Sequence, residues 1–283
     1  MILPARLPEW AGACLMPLLG GVAAMGLAPN GYWVATILAL SVLFALFPRA
    51  LRPSLWLWGF GAGYFGVGLR WIVEPFQIEA EIYGWMAPFA LLAMAAGLAL
   101  FWALAGGLAA RLGRGDSRRL VPALVVCLAL VEYARAYVLT GFPWAGLAQI
   151  WIDTPLTATL ALIGPQGLGL VTLLLAAAAA LIVPKRGLAV VGLPALLCIL
   201  LVPNIPQPVS VQPALDAPIL RLVQPNAPQD EKWHPEKWQA FFWRKVDATR
   251  AAGHPAAIIW PETAIPSLLQ HADEVLAIIA EAA

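Results

Sequence analysis

Residue Glu262 is the one acid that the local sequence delivers to a place where chemistry is done. Four small or apolar residues, Ala257-Ile258-Ile259-Trp260, predict a short buried strand. Pro261 ends it, because proline has no N–H for a ladder and fixes its own φ. Glu262 follows at once, and Pro266 closes the segment, so the carboxylate is expected in a stiff turn at the carboxyl end of a strand. That is where α/β proteins place reactive side chains, and the chemistry open to a carboxylate there is proton transfer. The alternative is a solvent-facing turn glutamate. Thr263 and Ser267 are candidate caps for a following helix.

Other groups have narrower uses. Glu132 and Arg135 stand three apart inside an apolar run, on one face of a predicted helix, where pairing lowers the cost of charge in lipid. A structural ion pair is the expectation. Directly after them, Thr140-Gly141-Phe142-Pro143-Trp144 predicts a helix stop with aromatics at interface depth, Trp144 anchoring at the headgroups. Tyr64, Trp71, Tyr83, Trp85 and Trp151 are assigned to the same aromatic belt or its neighbourhood. The three cysteines, Cys14, Cys127 and Cys198, lie far apart in apolar runs with no metal or disulfide spacing, and read as small buried hydrophobes.

The elements that must hold these residues are set by composition. The 283 residues are 61% hydrophobic and 12% charged, with mean hydropathy +0.79. A soluble domain carries about 45–50% apolar and about 25% charged residues, so most of this chain belongs in a bilayer. A net charge of +1 gives no general attraction to nucleic acid.

Seven apolar stretches precede residue 205: 10–27, 32–47, 55–72, 85–110, 120–139, 156–183 (broken at Gly164-Pro165) and 188–202. The second and seventh are short for a span of about 20 residues. Arg6, Arg49, Arg52, Arg111, Arg114, Arg118, Arg119, Lys185 and Arg186 fall on one side if all seven cross. The opposite loops carry Glu74, Glu79, Glu81 and Asp153, with only Arg70 and Arg135 near their edges, and an even span count would reverse the placement of the tail but break this alternation. Basic loops stay cytoplasmic, which predicts an N-terminus inside and everything after Val202 outside, in the periplasm of a two-membrane bacterium.

A proline-rich linker, 204–218, then leads to a change of composition. A strand over 219–224, a helix over 235–252 with Trp238, Phe241, Phe242 and Val246 at helical spacing, and the AIIW strand make a β-α-β unit. The ends Gln224-Pro225-Asn226 and Pro261-Glu262 then share one sheet edge. A last helix is predicted over 267–280. About 65 residues bury a marginal core and leave a parallel sheet uncovered, so the expectation is a domain that the chain leaves incomplete.

Three motifs together carry a resemblance: Leu222-Val223-Gln224-Pro225-Asn226-Ala227-Pro228-Gln229 with Lys232-Trp233, then Trp260-Pro261-Glu262-Thr263-Ala264, preceded by apolar segments containing Thr140-Gly141-Phe142-Pro143-Trp144. The chain resembles the apolipoprotein N-acyltransferases of bacterial inner membranes. The resemblance implies a multi-span α-helical membrane bundle (1–203) followed by a partial α/β nitrilase-like domain, an αββα sandwich begun in 219–283. It implies a Glu-Lys-Cys triad. The cysteine takes an acyl chain from a phospholipid as a thioester and passes it to the α-amino group of a diacylglyceryl-apolipoprotein. Glu262 matches the general base, and Trp233 matches a tryptophan over the active site that touches acyl chain or simply packs on the domain. No metal and no cofactor is implied.

The sequence departs from that pattern, because beyond Glu262 it contains neither lysine nor cysteine. A truncated or partial acyltransferase, inactive alone, is therefore expected. A membrane-anchored amidase or nitrilase acting on a small amide shares the glutamate and stays open as an alternative, as does a non-enzymatic transporter or scaffold.

Overall fold

Long apolar runs leave a backbone in lipid one local solution, which is to bond its own N–H and C=O groups along a helix. The computed structural model describes residues 9–186 apart from 115 and 139, and residues 214–283 apart from 215, 229, 230, 233, 263 and 266. It forms two compact units, residues 1–76 with 81–209 and residues 77–80 with 210–283.

The described part of the first unit is helical: α1 (Glu9–Ala24), α2 (Trp33–Leu46), α3 (Pro53–Gly68), the single turn α4 (Ala80–Tyr83, whose first residue falls in the second unit), α5 (Ala87–Leu112), α6 (Ser117–Arg135) and α7 (Leu160–Arg186). Six of the seven apolar stretches thus carry a helix, and the seventh, 188–202, lies outside the described residues. Asp116 caps α6, its carboxylate accepting the Arg118 N–H at 2.9 Å. Pro53 opens α3, where its missing N–H costs nothing. The expected break in α7 is a kink at Gly164, whose φ of 66° is open to glycine and strained for residues with a Cβ.

Two continuous helical stretches, Ala80–Leu112 and Pro155–Ala180, are long and apolar enough to cross a bilayer, with mean hydropathy 2.1 and 1.9 in their best windows. At 16, 14 and 16 residues, α1, α2 and α3 fall short of the usual span length. Leu18, Leu92, Leu100, Leu130 and Leu162 point outward, each more than 60% exposed, which suits a lipid surround.

Small residues bring α1 and α3 together: a Cβ on Gly20 would stand 1.9 Å from the Phe60 carbonyl oxygen, and one on Gly63 would stand 2.0 Å from that of Pro17. Beneath them Phe60, Tyr64, Phe65 and Trp102 are fully buried, with Tyr64 and Trp102 stacked at 5.1 Å. Two members of the expected aromatic belt therefore belong to the core. Tyr64 is one. Trp151 is the other, 4% exposed, its indole N–H bonded to the Thr172 hydroxyl at 2.8 Å. Packing took them because each ring faces other rings and helices and not lipid. Trp71, Tyr83 and Trp85 are exposed.

The second unit holds β1 (Leu220–Leu222), α8 (Trp238–Arg250), β2 (Ala257–Ile259) and α9 (Asp273–Ala282). The strands pair in parallel with Leu220 opposite Ala257 and Leu222 opposite Ile259. Arg221 lies under α8, its guanidinium donating to the carbonyls of Thr249 at 2.7 Å and Ala252 at 2.8 Å. Leu220, Leu222 and Ile259 share the other face and are exposed. Phe242, Val246 and Ala282 form a small core with Trp238, Trp260, Val275 and Ile279 against it.

The last helix starts later than its apolar stripe suggested. A 3-10 turn, Leu269–His271, precedes it, and the Ser267 hydroxyl reaches the Leu268 and His271 carbonyls at 3.2 Å each, so Ala272 stands at the N-cap. The hydroxyl serves its own turn, a competing local bond open to serine. Thr263 lies outside the described residues.

Candidate functional site

Glu262 stands in a turn three residues past the end of β2, exposed, at the carboxyl edge of the two-stranded sheet. The Val223 N–H donates to the Ile259 carbonyl at 2.9 Å, so the turn at Pro225-Asn226 leaves the same edge. Asn226 adopts φ 52°, a left-handed conformation that asparagine tolerates better than most residues.

Cations tie both turns down. The Lys245 ammonium, on α8, donates to the Ala264 carbonyl at 2.7 Å, and the Lys232 ammonium donates to the Glu262 carbonyl at 3.3 Å. Arg244, the neighbour of Lys245, donates to the Pro225 carbonyl at 2.6 Å. The Trp260 indole N–H bonds the Thr249 hydroxyl at 2.9 Å, and the Lys245 ammonium lies 5.8 Å from the centre of the Trp260 ring. Lys245 is only 4% exposed. Burial pulls its pKa below the ordinary lysine range, and the nearby Lys232 charge pulls it the same way. The result is a turn carrying Glu262 that two ammonium groups brace through its backbone carbonyls. An open hollow of about 740 Å³ beside β2 is lined by Thr249, Trp260, Ala264, Ile265 and Ile279; Glu262 does not line it.

In the first unit, the ion pair is present and larger than its spacing suggested. The Arg135 guanidinium donates to Glu132 from Nε at 3.0 Å and from Nη2 at 2.8 Å, and Trp102 Nε1 donates to the same carboxylate at 2.8 Å. Nη1 of Arg135 turns the other way, to the carbonyls of Phe142 and of Trp144, the latter at 2.9 Å. Phe65 covers the guanidinium at 5.1 Å. Trp144 itself is 55% exposed and meets Trp71 edge to face at 5.7 Å. Trp233 lies outside the described residues, so of the three candidate residues the structure places Glu262 and Trp144, each in its own unit.

Residues 19–178, which hold α2 to α6, the 140–144 loop and most of α7, match the model of the apolipoprotein N-acyltransferase N-terminal domain. The chain belongs to the apolipoprotein N-acyltransferase family. Among its relatives in that family, the apolipoprotein N-acyltransferase of Caulobacter vibrioides is 36% identical over 269 residues, which is 91% of this chain and 51% of that protein. Those of Allorhizobium ampelinum and Brucella suis biovar 1 are each 32% identical, over 98% of this chain and 56% of their own length. This acyltransferase-family chain spans about half the length of the curated relatives it matches.

One contributor escaped the sequence, and so did the reach of another. Lys245 reads as an ordinary helix lysine, yet it falls on the same stripe as Trp238, Phe241, Phe242 and Thr249, and a charge at that phase was the signal. Arg135 was found as a partner for Glu132, but its bonds to loop carbonyls seven and nine residues on have no side-chain signature.

Proposed function

We propose that this chain supplies the membrane platform and the acidic catalytic residue of an apolipoprotein N-acyltransferase. In this reading the enzyme moves a fatty acyl chain from a phospholipid, through a cysteine thioester, to the N-terminal diacylglyceryl-cysteine of a bacterial apolipoprotein. Residues 1–203 form a multi-span bundle in the inner membrane with the N-terminus in the cytoplasm. Residues 204–218 are the linker, and residues 219–283 begin a periplasmic nitrilase-like domain. Trp144 and Trp233 contact lipid.

Glu262 is the general base. A thiol with pKa near 8.5 is mostly protonated at neutral pH, and a carboxylate within hydrogen-bond reach accepts its proton as the sulfur attacks the acyl ester. It passes that proton to the alcohol of the departing lysophospholipid, and is then free to take the proton of the incoming α-amine and return it to the released thiol. What supports the role is the placement of Glu262 at a strand's carboxyl end, on a turn whose carbonyls are held by Lys232 and Lys245. No residue here is assigned as the nucleophile.

The test is Glu262→Gln in the gene product carrying this sequence, given phospholipid labelled in an acyl chain and a diacylglyceryl lipopeptide. Loss of a general base costs about 10²–10⁴-fold in rate. Acyl transfer that survives the substitution removes Glu262 from the mechanism, and ammonia released from small amides without acyl transfer points to the amidase reading.

A further inference from the structure

Loop 140–144 has little of its own to hold it. Its backbone bonds are confined to its start, where the Gly141 and Phe142 N–H groups donate to the Val138 and Arg135 carbonyls at 3.0 Å each, and Pro143 has no N–H. Two positive φ angles mark the segment, 75° at Gly141 within it and 54° at Ala145 directly after it. The first is free to glycine, while the second costs an alanine about 1–2 kcal/mol. A Cβ at Gly141 would also stand 2.4 Å from the Ala136 carbonyl oxygen. Such a conformation persists only where its surroundings impose it.

The imposing group is Arg135. Among the described residues it is the donor to both the Phe142 and the Trp144 carbonyl. Its own position is settled by two bonds to Glu132, which Trp102 fixes in turn, and by the Phe65 ring. The guanidinium is 2% exposed at the end of α6, so the bonds are made away from competing water. Their effect is to set the backbone that carries Trp144 against Trp71.

We propose that Arg135 is a positioning residue: through the backbone carbonyls of Phe142 and Trp144 it holds the Trp144 indole in the pose that meets lipid. This rests on the reading of Trp144 as a lipid-contacting residue. Lysine cannot substitute, since a point-like ammonium lacks the planar fork that reaches a carboxylate on one side and two carbonyls on the other.

The experiment places photoreactive benzoylphenylalanine at position 144 (Trp144→Bpa) or, as a control on another exposed ring, at position 89 (Phe89→Bpa), in the full chain. The protein is reconstituted in vesicles of phosphatidylethanolamine and phosphatidylglycerol with a trace of fluorescent phosphatidylethanolamine. Each label is combined with Arg135→Gln and Arg135→Lys, and lipid crosslinking is read on gels. Hydrogen exchange of the peptide covering 141–148 is read in parallel. Each charge-assisted bond shifts the closed-to-open balance of the loop by about ten-fold or more. Crosslinking at 144 is expected to fall about three- to ten-fold in both variants, with position 89 unchanged and exchange over 141–148 accelerated.

Unchanged crosslinking and exchange at the loop overturn the proposal. If Arg135→Gln lowers both positions together, Arg135→Lys decides, because it keeps the charge beside Glu132. Loss at both positions there too means that Arg135 supports the whole unit and not the loop, and overturns the proposal as well. Absence of crosslinking at 144 with Arg135 intact refutes the lipid-contact reading of Trp144. In that case the exchange data still decide whether Arg135 holds the loop.

Discussion

Deleting the Glu132 carboxylate while leaving Arg135 in place should be among the most damaging single changes in the first unit. The pair is bidentate, with bonds of 2.8 and 3.0 Å, and the arginine side chain is 2% exposed against 14% for the glutamate. Charge centres about 4 Å apart attract by about 4 kcal/mol at an effective dielectric near 20. Glu132→Leu abandons a buried guanidinium and frees the Trp102 indole N–H, a loss in the class of about 3–5 kcal/mol. Arg135→Met leaves a carboxylate that keeps Trp102 but orphans two loop carbonyls. The double variant has no unpaired charge, so it should be far less destabilised than the two singles summed. A coupling of about 2–4 kcal/mol is expected, within the range for close charge pairs. Equilibrium unfolding of the four proteins in mixed detergent–SDS micelles, followed by circular dichroism, closes the cycle. Additivity within about 0.5 kcal/mol would mean that the pair is not a unit and that the geometry argued for it is wrong.

Further expectations follow from single positions. Lys245 has a lowered pKa, so between that value and the unfolded value near 10.4 the unfolded chain holds more protons than the folded one. Stability relative to Lys245→Met should therefore rise as pH climbs through that window, read as the difference in unfolding midpoint; a flat or falling difference contradicts it. Gly63→Ala drives a Cβ into the Pro17 carbonyl at 2.0 Å and should cost about 1–3 kcal/mol or more by separating α1 from α3. Gly97→Ala, where nothing lies within 4 Å, should be neutral or stabilise α5 by up to about 1 kcal/mol, and thermal melts of the two variants make the comparison. Trp102→Phe keeps the stack on Tyr64 but removes the donor to Glu132; a loss of about 1.5–3 kcal/mol in the same unfolding assay is expected, and no loss would make that bond idle.

What could be read in advance was whatever local chemistry controls. Apolar runs marked where helices lie, because backbone satisfaction in lipid is a local matter. Asp116, Pro53 and Gly164 act on the backbone within a residue or two of themselves, so cap, start and kink were within reach of the chain's own order. The β-α-β order followed from strand breakers and helical spacing, and it brought Glu262 and the Pro225-Asn226 turn to one edge once the strands paired in parallel.

The amino-acid sequence by itself determined that this chain is an apolar, helix-rich protein with one acid at a strand's end, since composition and neighbouring residues suffice for that. Only the tertiary structure decided which aromatics are buried and which face outward, for Tyr64 and Trp71 have similar surroundings in the sequence and opposite ones in space. It also decided what the cations do. Lys245, Arg244 and Arg135 spend their charge on carbonyls 19, 19 and as many as nine residues away, and a backbone carbonyl is the same acceptor at every residue. No residue type announces which carbonyl will be used, so distance through the fold had to be known first.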